Sequence, residues 1–593
     1  MIKRGISLLL MLLAAIVATR CAHPVMPTGG DKDETPPKVL SSVPQNYTTN
    51  FKGKTIVISF DEFVKLDKLQ QQLLISPPTE TTPDFKLRGK SLVIKFEEEL
   101  KPETTYAIYF GEAIVDLTES NPLTGFSFVF STGAVLDSMS INGSIHNAFD
   151  RKPAENTFAM LYLLINDTIP FDSLPYRVKP YYVARTDKFG KFRLTNLKQQ
   201  PFKLFALTDM NSNFIYDMAG ESIAFIDSLI SPVYIAPPVA PDTLIQHDSL
   251  QVEATAAVAD SSLNKPDSVV FNSIVDLNLF EELDPVQKLL KSEIVKPGML
   301  RFIFRHNARE VRLTPMAALP DSFNLISKYN TLGDTLYWFF RPMVLDSLKL
   351  TMAYDTLIND TLALSLNPRQ LPTNKRLVKK NADKDKYLQF TSTASRRLEY
   401  GSPLEFVFDY PIVSYQLRDT VRFIANEDTT YNSVSFVQSD SIGLRYRMET
   451  TFEAGGSYNL LIPDSCFLGL NGQWNDTIRQ AFKVPALEDY GNLYIDMVVP
   501  PGELFIIQLL GAKEVVLREI EVSSSKRYGF EHINPGKYKL KAIRDSNRNK
   551  RWDTGNYLLK MQPESVYYFT KELEIRANWD FEENWNVVNA LSK

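Results

Sequence analysis

The 593-residue chain has little of what most catalytic and metal chemistry requires. Its two cysteines, Cys21 and Cys466, lie too far apart in sequence to form a Cys-x-x-Cys pair. The five histidines, His23, His146, His247, His306 and His532, never fall two to five residues from one another. That excludes a helix-spaced zinc pair. No strand-to-helix nucleophile elbow occurs, and no phosphate-binding glycine loop. A net charge of −5 supplies no basic field for nucleic acid. Beyond the N-terminus no run of eighteen apolar residues offers a transmembrane helix. Helical periodicity is also scarce, the best stretches being Leu66 to Leu74 and Phe280 to Ser292. Carboxylate pairs such as Asp61-Glu62 read as solvated strand ends. No catalytic residue is assigned, and the chain is read as a non-enzyme.

What is present begins at the N-terminus. Lys3 and Arg4 precede an apolar run from Ile6 to Val17, the length of a signal h-region. Cys21 follows directly, then the polar stretch Pro27-Thr28-Gly29-Gly30-Asp31-Lys32-Asp33-Glu34-Thr35-Pro36-Pro37, which cannot build a core. This order resembles a bacterial lipoprotein, with residues 1–20 as signal peptide and 21–36 as polar tether. The resemblance implies a lipidated, palmitate-bearing Cys21 as the mature N-terminus; Arg20 departs from the small residue usual before such a cysteine. Cys466, beside Phe467 and Leu468, then reads as a small buried hydrophobe.

From Val39 onwards the pattern is short alternating runs such as Thr55-Ile56-Val57-Ile58-Ser59-Phe60, broken by Pro, Gly, Asn and Asp. Such spacing predicts an all-β chain of sandwich domains. Two internal repeats organise it. Gly190 to Leu197 and Phe202 to Asp209 lie, without a gap, over Lys526 to Ile533 and Tyr538 to Asp545. Ile56 to Phe63 and Leu100 to Tyr106 resemble Leu404 to Tyr410 and Phe452 to Tyr458. The first pair resembles the prealbumin-like sandwich, the second the bacterial Ig-like domain of the S-layer type. The expected order is an Ig-like domain over 37–133, a prealbumin-like sandwich over 136–232 and a flexible linker over 233–270. A sandwich of unassigned type over 271–395, a second Ig-like domain over 396–485 and a second prealbumin-like sandwich over 486–593 follow. Taken whole, this resembles an Ig-like-domain lipoprotein family of the Bacteroidota outer membrane.

One loop has the composition of a site, and it occurs twice. Asp209, Asn211, Asn213 and Asp217 match Asp545, Asn547, Asn549 and Asp553 at identical spacing. Oxygens at the first, third, fifth and ninth positions suit calcium. Against this, Phe214 or Lys550 stands where a calcium loop has glycine, and Gly220 or Asn556 where it has a bidentate glutamate. Glu221 follows one place late in the first copy, and the second copy is read as lacking a counterpart. The competing reading is an Asx-turn cluster closed by side-chain-to-backbone bonds. Apart from calcium no cofactor is expected.

The tripeptide of Asp, Ser or Thr, and a small or aliphatic residue occurs fifteen times. Ordinary usage gives roughly two or three. It resembles the O-glycosylation sequon of Bacteroidota, with Thr243, Ser249 and Ser268 as leading candidates; the same residues also start turns. The function expected is a non-enzymatic binding or scaffolding lipoprotein, anchored in the outer membrane and facing the periplasm or the cell surface. Its partner would be an outer-membrane protein or an envelope complex. The alternative is an accessory lipoprotein of an outer-membrane protein assembly or export machine, and the third reading a glycan-active enzyme with accessory sandwiches.

Overall fold

The computed structural model describes residues 33–163, 170–234, 274–284, 286–320, 323–342, 347–355, 358–366, 386–417, 421–426 and 434–588. Cys21, Thr243, Ser249 and Ser268 lie outside them. The described chain is all β, with helices of single turns only, such as Leu69–Gln72 and Leu174–Arg177. No helix among the described residues is long and apolar enough to cross a membrane.

The first sandwich contains β1 (Val39–Val43), β2 (Thr55–Phe60), β3 (Val64–Leu66), β4 (Leu74–Ser76), β5 (Asp84–Arg88), β6 (Ser91–Lys95), β7 (Thr105–Tyr109), β8 (Ile114–Asp116) and β9 (Ser127–Ser131). Its sheets run β1-β2-β6-β5 and β4-β7-β9, with a small β3-β8 ribbon. In β2 the alternation does what it should, Ile56, Ile58 and Phe60 facing a core closed by Phe96, Phe110, Phe128 and Phe130.

The next sandwich contains β10 (Met139–Asn147), β11 (Phe158–Leu163), β12 (Tyr182–Arg185), β13 (Lys191–Leu197), β14 (Phe202–Leu207), β15 (Ser222–Phe225), β16 (Val233–Tyr234) and β17 (Ile274–Glu281). Here the expected boundaries need correction. β16 pairs with β10, so the linker cannot begin at 233. β17 also pairs with β10, in parallel, and with β15 on its other edge. Residues 274–281 therefore complete this sandwich and do not open the next one. Val275, Leu277 and Leu279 alternate into its core, which is the physical reason they belong here. The predicted helix over Phe280 to Ser292 gives way to the end of β17 and the start of the next strand.

The third sandwich has β18 (Leu289–Lys296), β19 (Met299–Phe304), β20 (Arg312–Pro315), β21 (Ile326–Tyr329), β22 (Thr335–Phe339), β23 (Ser347–Asp355) and β24 (Ile358–Ser365). The fourth has β25 (Phe390–Ser392), β26 (Glu405–Phe408), β27 (Ile412–Tyr415), β28 (Arg422–Ala425), β29 (Phe436–Gln438), β30 (Arg445–Met448), β31 (Ser457–Ile462), β32 (Phe467–Gly469) and β33 (Ile478–Lys483). Its first strand precedes the expected start at 396. Its sheets, β25-β26-β30-β29, β28-β31-β33 and β27-β32, reproduce the first sandwich strand for strand. The third sandwich, of no assigned type in the sequence, has the same two sheets as β18-β19-β22-β21 and β20-β23-β24; no β3-β8 ribbon occurs among its described residues. Three sandwiches thus share one topology.

The fifth sandwich has β34 (Gly491–Val498), β35 (Phe505–Leu510), β36 (Val516–Val522), β37 (Lys526–Ile533), β38 (Gly536–Arg544), β39 (Val566–Tyr568), β40 (Leu573–Ile575) and β41 (Asp580–Asn586). β41 pairs in parallel with β34, as β17 does with β10. This sandwich repeats the second.

Contacts divide the chain into two compact units. The first holds residues up to Asn147, Arg151–Glu281 and Tyr557–Met561. Within it the Ser76 hydroxyl accepts the Val183 N–H at 3.0 Å, and Tyr109 and Thr195 share a hydrogen bond of 2.8 Å. Tyr557 stands in this unit among Phe205, Phe225 and Tyr176. Covered on both faces, β14 is buried at every position and is apolar but for Lys203, whose ammonium donates to the Asp227 carbonyl at 2.7 Å. The second unit holds Ala148–Asp150, Glu282–Asn556 and the residues from Gln562 onwards. There the Tyr410 hydroxyl donates to the Pro297 carbonyl at 2.7 Å, and the Tyr490 hydroxyl donates to Glu399 at 2.8 Å.

Candidate functional site

The duplicated acidic loop follows β14 in one copy and β38 in the other, and the structure gathers all eight predicted residues. In the first copy Asp209 accepts the N–H groups of Asn211, Ser212, Asn213 and Phe214, the shortest at 2.6 Å to Ser212. The Asn211 and Asn213 amides donate to Asp217 at 3.0 and 2.9 Å. In the second copy Asp545 accepts from Asn549 at 3.0 Å and Lys550 at 2.9 Å, while both asparagine amides donate to Asp553. The loop closes on itself, carboxylate to backbone and amide to carboxylate.

Backbone angles show the same loop twice. Ser212 and Arg548 both have φ of 62°. Phe214 and Lys550, in the place of the calcium-loop glycine, have φ of 61° and 64°. The left-handed turn that glycine favours is therefore made, at a conformational cost, by a phenylalanine and a lysine.

The second copy does have a counterpart to Glu221. Glu221, 1% exposed, accepts the N–H groups of Met210, Asp217 and Met218, each at 3.1 Å. Glu564, 9% exposed, accepts those of Ser546 at 2.6 Å and Asp553 at 3.1 Å. The gapless alignment misses it because ten residues (554–563) separate it from Asp553, against three (218–220) in the first copy. A local signal was available: Glu221-Ser222-Ile223 and Glu564-Ser565-Val566 each open the next strand. Burial pushes the Glu564 carboxyl above its usual range, against the pull of its two N–H donors.

Elsewhere the polar groups hold backbone and strands. Ser144 and His146 both bond Asp276, at 3.0 and 2.9 Å, and Arg151 reaches its other oxygen at 2.9 Å. Because Ser144 donates to the carboxylate and not to the imidazole, no activated nucleophile results. These partners draw the Asp276 carboxyl down to about 2, against the opposing effect of burial. His532 packs edge-on to Tyr400 and Tyr490. Cys466 is fully buried, its N–H and that of Phe467 accepted by the Asn475 side chain. Among the described residues no group of three or more His, Cys, Asp and Glu is placed to hold a metal ion.

The first and fourth sandwiches share a further device. The Tyr106 hydroxyl accepts the Lys101 N–H at 2.9 Å, and the Tyr458 hydroxyl accepts the Glu453 N–H at 2.7 Å. Each ring stacks on its partner strand, Tyr106 on Phe130 and Tyr458 on Phe482. Burial pushes the Tyr106 hydroxyl up to about 12.

With that geometry in view, residues 33–132 match the family model of the bacterial Ig-like domain. The first sandwich is a bacterial Ig-like domain. No curated protein matches the chain. Among solved structures, the S-layer protein rSbsC aligns over 91% of this chain and 67% of its own, at 11% identity and a TM-score of 0.13. The major pilin subunit BcpA of Bacillus cereus aligns over 76% and 99%, at 9% identity and 0.13. A titin segment aligns over 49% and 99%, at 9% identity and 0.12. The Ig-like make-up itself is consistent with a scaffolding or binding role.

Proposed function

We propose that the chain is a non-enzymatic scaffolding or binding lipoprotein of the Bacteroidota type, anchored in the outer membrane through Cys21. The observation that carries the reading is the use of its polar clusters. The Asp209, Glu221, Asp545 and Glu564 carboxylates are committed to backbone N–H groups, and the His146–Asp276 pair to joining two strands. Sandwich edges and end loops are left as contact surfaces for an outer-membrane protein or envelope complex. The anchor rests on the h-region, Cys21 and the polar tether. Replacing Cys21 with Ser should move the chain from the membrane to the soluble periplasmic fraction; a variant that is processed and still sediments with membranes removes the anchor.

The sequon reading belongs to the same proposal. Among the described tripeptides Ser138, Ser228, Ser347, Thr361 and Ser441 are exposed, which glycan attachment requires. Asp440 and Asp476 also accept N–H groups within their own turns, so the turn role is present too. Protein from its native host should exceed its peptide and lipid mass, with the excess on these residues or on Thr243, Ser249 and Ser268. Unmodified peptides across 241–269 would count against it. The alternative, a subunit of an assembly or export machine, predicts stoichiometric recovery of a barrel protein in mild detergent.

A further inference from the structure

The last strand of the second sandwich is held in an unusual way. β17 is hydrogen-bonded on both edges, in parallel to β10 from Asn142↔Ile274 to Asn147↔Leu279, and antiparallel to β15 at Ile223↔Phe280. It joins the strands of this sandwich into one path, β12-β11-β14-β15-β17-β10-β13. Leu277 and Leu279 are 1% and 5% exposed within the core, and Phe280 packs edge-on against Phe225. Between the apolar positions, Asp276 is met by Ser144, His146 and Arg151, and Asn278 by Arg151. Apolar side chains on one face and a carboxylate read by three partners on the other define a peptide by sequence as well as by shape.

The covalent route to this strand is far longer than closure needs. β16 ends with Tyr234 opposite Met139, and β17 begins with Ile274 opposite Asn142. Three residues of strand are about 10 Å, yet thirty-nine residues (235–273) connect the two. In the fifth sandwich residues 576–579 alone lead from β40 to the equivalent parallel strand β41. Thirty-nine residues exceed that span several-fold, so the length of the connection does not set the register; the pairing with β10 and β15 does.

We propose that the slot between β10 and β15 is a strand-acceptor site that holds residues 274–281 as a non-covalently bound peptide. The chain then survives cleavage anywhere within 235–273 as a two-fragment protein. The ligand class is an extended segment with apolar residues at alternate positions and a carboxylate between them.

The test uses the full chain with one protease site inserted between Leu250 and Gln251. After complete cleavage, native size exclusion should give an unchanged single peak, and denaturing electrophoresis two fragments. Residues 557–561 of the downstream fragment also pack in this unit, through Tyr557 on Phe205 and Phe225. The cut chain carrying Tyr557→Ala alone should therefore still stay together. With Leu277→Asp and Leu279→Asp added to Tyr557→Ala, cleavage should release the fragments, while the uncut variant elutes as one species. A milder pair, Asp276→Ala with Asn278→Ala, should let the cut fragments part at lower urea than the cut parent. Separation of the parent fragments in native buffer overturns the proposal. So does continued association of the cut chain carrying Leu277→Asp, Leu279→Asp and Tyr557→Ala, or separation of the cut Tyr557→Ala chain, either of which would place the hold elsewhere.

Discussion

The second and fifth sandwiches are two versions of one design. Both carry the acidic loop, the buried glutamate that opens the next strand, and a parallel last strand. They differ in what completes them. β17 bridges both sheets of the second sandwich, whereas β41 bonds β34 alone and leaves the fifth as two sheets, β37-β34-β41 and β36-β35-β38-β39. The inward register position opposite Ile145 is Leu277, and the one opposite Ile495 is Glu583. A strand gripped from both sides can carry a full apolar face. A strand on an edge can tolerate a glutamate that turns to Lys571 at 2.9 Å.

The largest break in this comparison should come at those two positions. Leu277→Ala removes a core side chain from a strand fixed on both edges and should cost about 3 kcal/mol. Glu583→Ala removes one partner of an ion pair whose lysine is exposed and whose glutamate is half-buried, and should cost about 1 kcal/mol. Hydrogen exchange of the β10 and β34 amides reads each sandwich separately, which a whole-chain melt would not. Equal losses would mean that β17 is no more deeply held than β41.

The next effect tests whether Glu564 is the counterpart of Glu221. Glu221→Ala strands three backbone N–H groups and should cost about 3 kcal/mol; Glu564→Ala strands two and should cost about 2 kcal/mol. Urea unfolding followed by exchange of the neighbouring strands, β15 and β39, gives both values. A neutral Glu564→Ala would leave the second loop closed by Asp545 and Asp553 without it.

How much of this was legible in the sequence follows from what each feature depends on. Alternation made the strands plain, since one buried face imposes a period of two. The loop repeat was plain because Asp and Asn must sit at fixed offsets to close it. Glu564 was hidden by an insertion that changes sequence distance without changing position in space. β17 was hidden because its partner β10 lies more than a hundred residues earlier, and a parallel pairing leaves no hairpin turn to mark it. The third sandwich kept the strand order of the first with different side chains, and order is a property of pairing that periodicity does not report.

Acid should separate the two copies more gently. The Asp276 carboxyl is held at about 2, well below its ordinary value of 3.8. A depressed carboxyl contributes stability that is complete above pH 4 and is lost as pH falls towards 2. The contribution is modest, because the side chain is 43% exposed. Exchange protection of β17 should therefore weaken between pH 4 and pH 2 in the parent and change less in Asp276→Asn. A pH profile unaltered by that substitution would assign the dependence to another group.

The smallest expected effect is the most discriminating, since its sign should differ between the copies. Phe214 and Lys550 hold the same left-handed backbone, and glycine at either place relieves about 1 kcal/mol. Phe214→Gly also removes a ring that packs edge-on against Phe158 at 5.1 Å, an aromatic contact worth about 1 kcal/mol beyond the area it buries. The lost burial then tips the balance, and the loop should be destabilised by about 1 kcal/mol. Lys550→Gly gives up only an exposed pair with Glu521, worth between 0 and about 1 kcal/mol, so the second loop should be unchanged or slightly firmer. Calcium sharpens the same comparison. Were the loops cation sites, both glycine variants should raise affinity by fitting the turn, and calcium against chelator would shift exchange in β14 and β38 alike. With closure by Asp209 and Asp545 through backbone N–H groups, the metal should leave both strands where they are and only the side-chain balance should speak.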